Sequence, residues 1–291
     1  MGISSARYLA VGVAFAFLWS SAATATKAGL ESAQPFVIAT GRFFMAGGIM
    51  LIMSHIFRPN RLPRGREWKQ LAIYGLLNIS VYLGLYVLAM QNVSAGIGSL
   101  AVAVNPVLIS LMSAAWFGVR IRGYNVLSMS LCLAGILLVA YPLIKGSQAS
   151  IGGIVTLLGS MAAYSVAAIY YSRKRWNELD ILTINGWQTL FGGIFLLPVL
   201  WITYSPGLNN LDQHYWIATG WLAIPVSIVA VQLWLYLLHQ HPVRASYWLF
   251  LCPVFGFFIA RVVMDEPITL FTIAGSLLVL AGLYILLRKR E

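Results

Sequence analysis

Charge is scarce in this chain. Of 291 residues, 9% are charged, and only eight are Asp or Glu against 19 Lys or Arg. A soluble domain carries about 25% charged residues, so this chain cannot cover a water-facing surface. Cysteine is nearly missing: Cys132 and Cys252 both lie inside apolar runs. That excludes a disulfide framework and suits small apolar filling. The four histidines, His55, His214, His239 and His241, sit near the ends of apolar runs, and no H-E-x-x-H pattern occurs. An intramembrane enzyme would need such a helix-borne set, so neither catalysis nor a metal or other cofactor is expected. The charged ring of a channel filter is not visible, and neither are the short alternating strands of an outer-membrane barrel.

What is present is grease. The chain is 60% hydrophobic with mean hydropathy +0.81. Its apolar runs are about 20 residues long, the length of a helix crossing about 30 Å of hydrocarbon. The expected fold is all-α integral membrane, with ten spans near 8–28, 35–57, 70–90, 94–116, 124–141, 151–171, 182–204, 215–238, 245–264 and 268–287. The longest connection, RPNRLPRGREWK at 58–69, is too short for a soluble domain.

The formal net charge of +11 is explained by position. With a cytoplasmic N-terminus, 15 of the 19 basic residues fall on the inner side, in groups such as Arg58 to Lys69 and Arg173-Lys174-Arg175. That is the positive-inside pattern. It calls for two cytoplasmic termini, and it removes nucleic acid as a partner; the bilayer and a small-molecule substrate remain, with a monomer expected. The start, Arg7 then LAVGVAFAFLW then Ala23-Thr24-Ala25, also fits a cleaved signal peptide. An internal repeat argues for keeping it.

Shifted by 147 residues, Asn105-Pro106-Val107 falls on Cys252-Pro253-Val254, and Leu131 to Gly135 falls on Leu278 to Gly282. Shifted by 145, Gly47-Gly48-Ile49 falls on Gly192-Gly193-Ile194. The order is kept throughout, which marks a repeat. The two units are expected at 1–146 and 147–291, each with five spans. Five is odd, so the second unit enters from the opposite face. Two inverted five-helix repeats are an architecture of secondary transporters, with the site at their interface.

Pro106 and Pro253 are the matched prolines, read as hinges or as packing kinks. Asn78, Tyr82 and Tyr86 fall on one helical face, with Gln232 and Tyr236 at equivalent places. With Trp19, Ser99, Tyr164, Trp187, Tyr247 and Trp248 they make a candidate substrate wall of rings and neutral hydrogen-bonding groups. The bland alternative is interfacial belts and polar glue between helices. All eight carboxylates lie in loops, at span ends or at the tail. Proton-coupled carriers usually keep a buried one, so facilitated transport is expected, with a proton-coupled antiporter as the alternative. Arg42, set in FVIATGRFFMAGGIML, either reaches outward to Glu31, Asp265 or Glu266 as a lock or binds a substrate carboxylate. Arg261 and Asp265 are spaced for a local i,i+4 pair.

Leu18-Trp19-Ser20…Lys27, Pro35…Arg42 and Pro253…Glu266 followed by Gly275…Gly282 resemble the drug/metabolite transporter superfamily, in its ten-span branch of tandem EamA-type repeats. The first repeat departs from that pattern, since Val119 stands where the second has Glu266. Within the superfamily the chain looks most similar to YddG-like bacterial exporters. That resemblance implies a bacterial inner-membrane exporter of aromatic amino acids; an exporter of other amino acids, nucleosides or cationic drugs is the alternative reading.

Overall fold

The computed structural model describes residues 5–118, 123–145, 149–240, 248 and 251–288. Among these it has ten long helices and no strand. They are α1 (Ser5–Gly29), α2 (Pro35–Ile52, continued by a π-helical turn Met53–Phe57), α3 (Arg66–Gly75, Leu76–Val81 and Tyr82–Met90) and α4 (Ala95–Ala101, Val102–Val104 and Asn105–Phe117). Next come α5 (Gly123–Lys145), α6 (Ile151–Arg173), α7 (Ile181–Thr203), α8 (Gln213–Trp221, Leu222–Ala230 and Val231–Gln240), α9 (Leu251–Met264) and α10 (Leu270–Arg288). Seven are long and apolar enough to cross a bilayer, and the apolar cores of α5, α9 and α10 are shorter.

Local chemistry sets the helix starts. Pro35 opens α2, where its missing N–H costs no helical bond. The side chains of Ser94, Ser150, Asp180 and Asp212 accept from Ile97, Gly153, Leu182 and Tyr215 backbone N–H groups and cap α4, α6, α7 and α8. Gly118, at φ 65°, ends α4 in the left-handed region that glycine tolerates.

The connections gather at two ends, as successive crossings require. At one end Asn210 N–H donates to Ser32 O, and Ser150 N–H to Asn92 O. At the other, Arg61 donates to Asn177 O, and the Arg173 guanidinium lies 3.6 Å from the Phe117 ring centre. Three of the five equivalent helix pairs of the two halves pack antiparallel. In the α2–α7 pair a Cβ on Gly186 would meet Leu51, while Ser54 bonds Thr183 at 2.6 Å. In the α4–α9 pair Ser99 lies by Cys252, and Ala95 by Glu266. In the α5–α10 pair Gly135 faces Gly275, and Ser128 donates to Gly282 O at 2.5 Å. A Cβ on either Gly135 or Gly275 would stand 2.5 Å from the other's carbonyl oxygen, so this contact accepts only glycine. The halves are therefore inverted copies meeting along a shared seam.

The prolines act locally. The Val102 carbonyl, deprived of its helical donor by Pro106, accepts instead from Asn105 N–H in a single 3₁₀ turn. Pro253 is the third residue of the described part of α9; the Leu249 carbonyl that it would free lies outside the described residues, and so does the hinge expected there. More telling are the π segments of α3 and α8, which begin at Leu76 and Leu222, 146 residues apart. In α8 the cause is visible: Pro225 lacks an N–H, and the Ser227 hydroxyl donates to Leu222 O at 2.8 Å.

Candidate functional site

At the seam lies a cavity of about 10 Å³, room for roughly one water. Its walls come from both repeats: Thr26, Ile38, Ala39, Arg42, Phe43, Leu83, Tyr86 and Val87 from the first, Leu222 from the second. Arg42 is 8% exposed. Its Nε donates to Ser227 Oγ at 2.9 Å, and its guanidinium lies 5.6 Å from the Phe43 ring centre. The Tyr82 and Tyr86 ring centres are 6.3 Å apart, and Tyr164 of α6 meets Tyr82 edge-on at 5.0 Å. The described site thus has one cation, a run of three tyrosine rings and an apolar lining.

The expected outward lock on Arg42 does not form. Glu266 is spent on the start of α4, accepting from Ala95 N–H at 2.5 Å and Gly96 N–H at 3.0 Å. Asp265 pairs locally with Arg261 at 3.8 Å, as the i,i+4 spacing expects. Glu31 is exposed. Magnitudes show what this leaves. Burying the arginine costs roughly 2.5–3.5 kcal/mol on insertion scales, and one charged hydrogen bond returns roughly 1.5–3 kcal/mol. The terminal nitrogens contribute nothing further, because no acceptor bonds them among the described residues.

The other candidate wall residues scatter. Asn78 donates to Gln188 Oε1 at 3.1 Å and ties α3 to α7, so it is occupied by structure. Ser99, buried, donates to Cys252 O at 3.2 Å and ties α4 to α9. Trp187 is drawn into a different cluster: its Nε1 donates to His55 Nε2 at 3.1 Å, and its ring meets Trp68 edge-on at 4.7 Å. Gln232 is exposed and lines no part of the cavity. Trp19 packs on Phe15 at 5.8 Å, and Trp248 lies 6.2 Å from Tyr8, both in a separate apolar cluster with Cys252. Tyr247 lies outside the described residues.

Three features were missed from the sequence. One is Ser227, whose only signal was the nearby Pro225. Another is a clamp at the end holding the basic 58–65 connection. Glu67, 4% exposed, accepts two 2.8 Å bonds from Arg61, one from Arg64 N–H at 2.7 Å and one from Asn177 at 3.3 Å. Its mirror at the other end uses neutral amides: Gln34 donates to Thr203 O at 2.9 Å and accepts from Asn209 at 2.9 Å. The third is Lys27, whose ammonium donates to Met90 O and Val93 O at 2.9 Å each, closing the end of α3. Both ends are thus tied across the repeats, which explains the small cavity.

The sequence pattern of the EamA-like transporter family matches the chain twice, over residues 6–141 and 151–288. The chain belongs to the EamA-like transporter family. As a two-repeat EamA-like transporter it is similar to an uncharacterized transporter of Archaeoglobus fulgidus, 29% identical over 97% of this chain and 98% of that one. It is also similar to the uncharacterized inner membrane transporter YedA of Escherichia coli K12, 30% identical over 81% of this chain and 76% of YedA. A solved crystal structure shares the fold with TM-score 0.67 at 18% identity, covering 97% of both chains. The seam between repeats is where a transporter of this architecture alternates access.

Proposed function

We propose that this EamA-like transporter exports small amphipathic metabolites, aromatic amino acids first among them, across a bacterial inner membrane. The observation that carries the reading is the run of Tyr82, Tyr86 and Tyr164 beside the Arg42 cavity, at the seam of two inverted repeats. Ring-on-ring contacts of this kind contribute about 0.5–1.5 kcal/mol each beyond burial, which favours flat cargo. The substrate moves down its own gradient, a reading supported by the lack, among the described residues, of any carboxylate midway along a helix. The basic loops support a cytoplasmic position for both termini, and the inner-membrane label carried by YedA supports the compartment. The chain transports and does not catalyse. The repeats divide near residues 146 and 147.

Counterflow in proteoliposomes with labelled amino acids, nucleosides and organic cations tests this. Phenylalanine, tyrosine and tryptophan should exchange fastest, and Tyr82→Ala or Tyr164→Ala should slow them while sparing expression. Preference for nucleosides or cations would replace the cargo. Uphill movement under an imposed pH gradient alone would replace the facilitative mechanism with proton coupling.

A further inference from the structure

We propose that the buried guanidinium of Arg42 is the subsite for a carboxylate of the transported molecule. This deepens the transport reading above and rests on it, but it does not require an aromatic cargo.

Arg42 is 92% buried, lines the cavity, and spends only Nε, on Ser227. Guanidinium offers five N–H donors in a fixed planar fork. The two terminal nitrogens have no acceptor among the described residues, so the fork that pairs carboxylates bidentately stands unused. Among the described residues no carboxylate pairs with it, and Glu31 and Glu178 are exposed. Glu67 is held by Arg61, Glu266 by the start of α4, Asp265 by Arg261, and Asp180 and Asp212 by the helix starts they cap. A single cation in an apolar lining matches one monoanion; a phosphate dianion would call for more positive charge. The Phe43, Leu83 and Val87 walls keep water away and strengthen the pairing. From Arg42 the tyrosine rings lead away along α3 to α6, so a bound carboxylate leaves the rest of the molecule lying on them.

The cavity of about 10 Å³ is smaller than a carboxylate. Its walls belong to different repeats, so parting α8 from α2 and α3 opens it. A carboxylate then enters beside the Arg42–Ser227 bond, which joins the two halves. Binding is thereby registered by both.

Ligand-dependent thermal stabilisation of the purified full chain tests the subsite. The probes are L-phenylalanine against L-phenylalaninamide, 3-phenylpropionate against phenethylamine, and L-leucine against leucinamide. In the wild type each acid should bind about tenfold to a hundredfold more tightly than its uncharged-head or amine partner. Arg42→Gln should erase that gap, and Arg42→Lys should keep part of it. Equal binding within every pair, or an Arg42→Gln protein that keeps the gap, overturns the proposal. If Arg42→Gln does not fold, the wild-type comparison decides. If only the leucine pair responds, the aromatic reading fails and the carboxylate subsite stands; if no acid of any pair binds, the subsite is refuted.

Discussion

Arg42 Nε in α2 lies 2.9 Å from the Ser227 hydroxyl in α8, a bond between the first repeat and the second. The position equivalent to Arg42 in the second repeat, 145 residues on, is Trp187, which bonds His55 instead. Symmetry of the backbone is thus broken by chemistry, and the charge lies on one side of the seam. Ser227→Ala should lower stability by about 1–2 kcal/mol, because the lost acceptor served a charged donor. Thermal unfolding in detergent measures it, and an unmoved midpoint would show that the bond contributes nothing.

The clamp around Glu67 makes a second prediction. Glu67→Gln removes the charge that Arg61 pairs with and turns one acceptor into a donor facing donors. Arg61 is about a third exposed and can rehydrate, so the loss is about 1–3 kcal/mol and not the full cost of a stranded buried ion. Limited proteolysis within residues 58–65 should accelerate, since the connection loses its anchor to Asn177. Unchanged cleavage would remove the clamp's role in closing that end.

Glu266 holds the first two N–H groups of α4 from the far repeat. Glu266→Ala should cost about 1 kcal/mol, as loss of a capping acceptor does. Faster hydrogen exchange at the amides of Ala95 and Gly96, with α7 unchanged, is the expected signature. Glu266→Gln should recover part of the protection, because its amide oxygen still accepts.

Sidedness is tested by labelling. Cysteines introduced at Ser147 and Asp212 should react with an impermeant reagent from outside the cell, and those at Arg64 and Arg175 only after permeabilisation. The opposite pattern would invert the assignment of both termini.

Much of the fold was legible because its cause is composition. Runs such as 151–171 and 182–204 can be satisfied only by helices crossing lipid, and the observed α6 and α7 bounds, Ile151–Arg173 and Ile181–Thr203, differ by two residues or fewer. The repeat was legible because Gly135 and Gly282 serve the same close packing of α5 on α10, each seen from its own copy. Pro106 was read as a hinge or a packing kink, and at its site the helix tightens to a 3₁₀ turn at Val102–Val104. The candidate wall was legible only in part. Tyr82 and Tyr164 meet, but spacing on one helix says which face a residue takes and not what that face meets. Asn78 and Ser99 were lost to interhelical hydrogen bonds with residues more than 100 positions away.

The sequence alone determined that the chain dissolves in lipid, that it forms helices of bilayer length, and that its two halves are copies entering from opposite faces. Those properties follow from hydropathy and parity, which need no knowledge of neighbours. Only the tertiary structure decided which polar groups pair. It sent Glu266 to α4, Glu67 to Arg61 and Ser227 to Arg42, and left the terminal nitrogens of one buried guanidinium facing the seam. Hydrogen bonds reach only about 3 Å, so their partners are fixed by packing between distant segments.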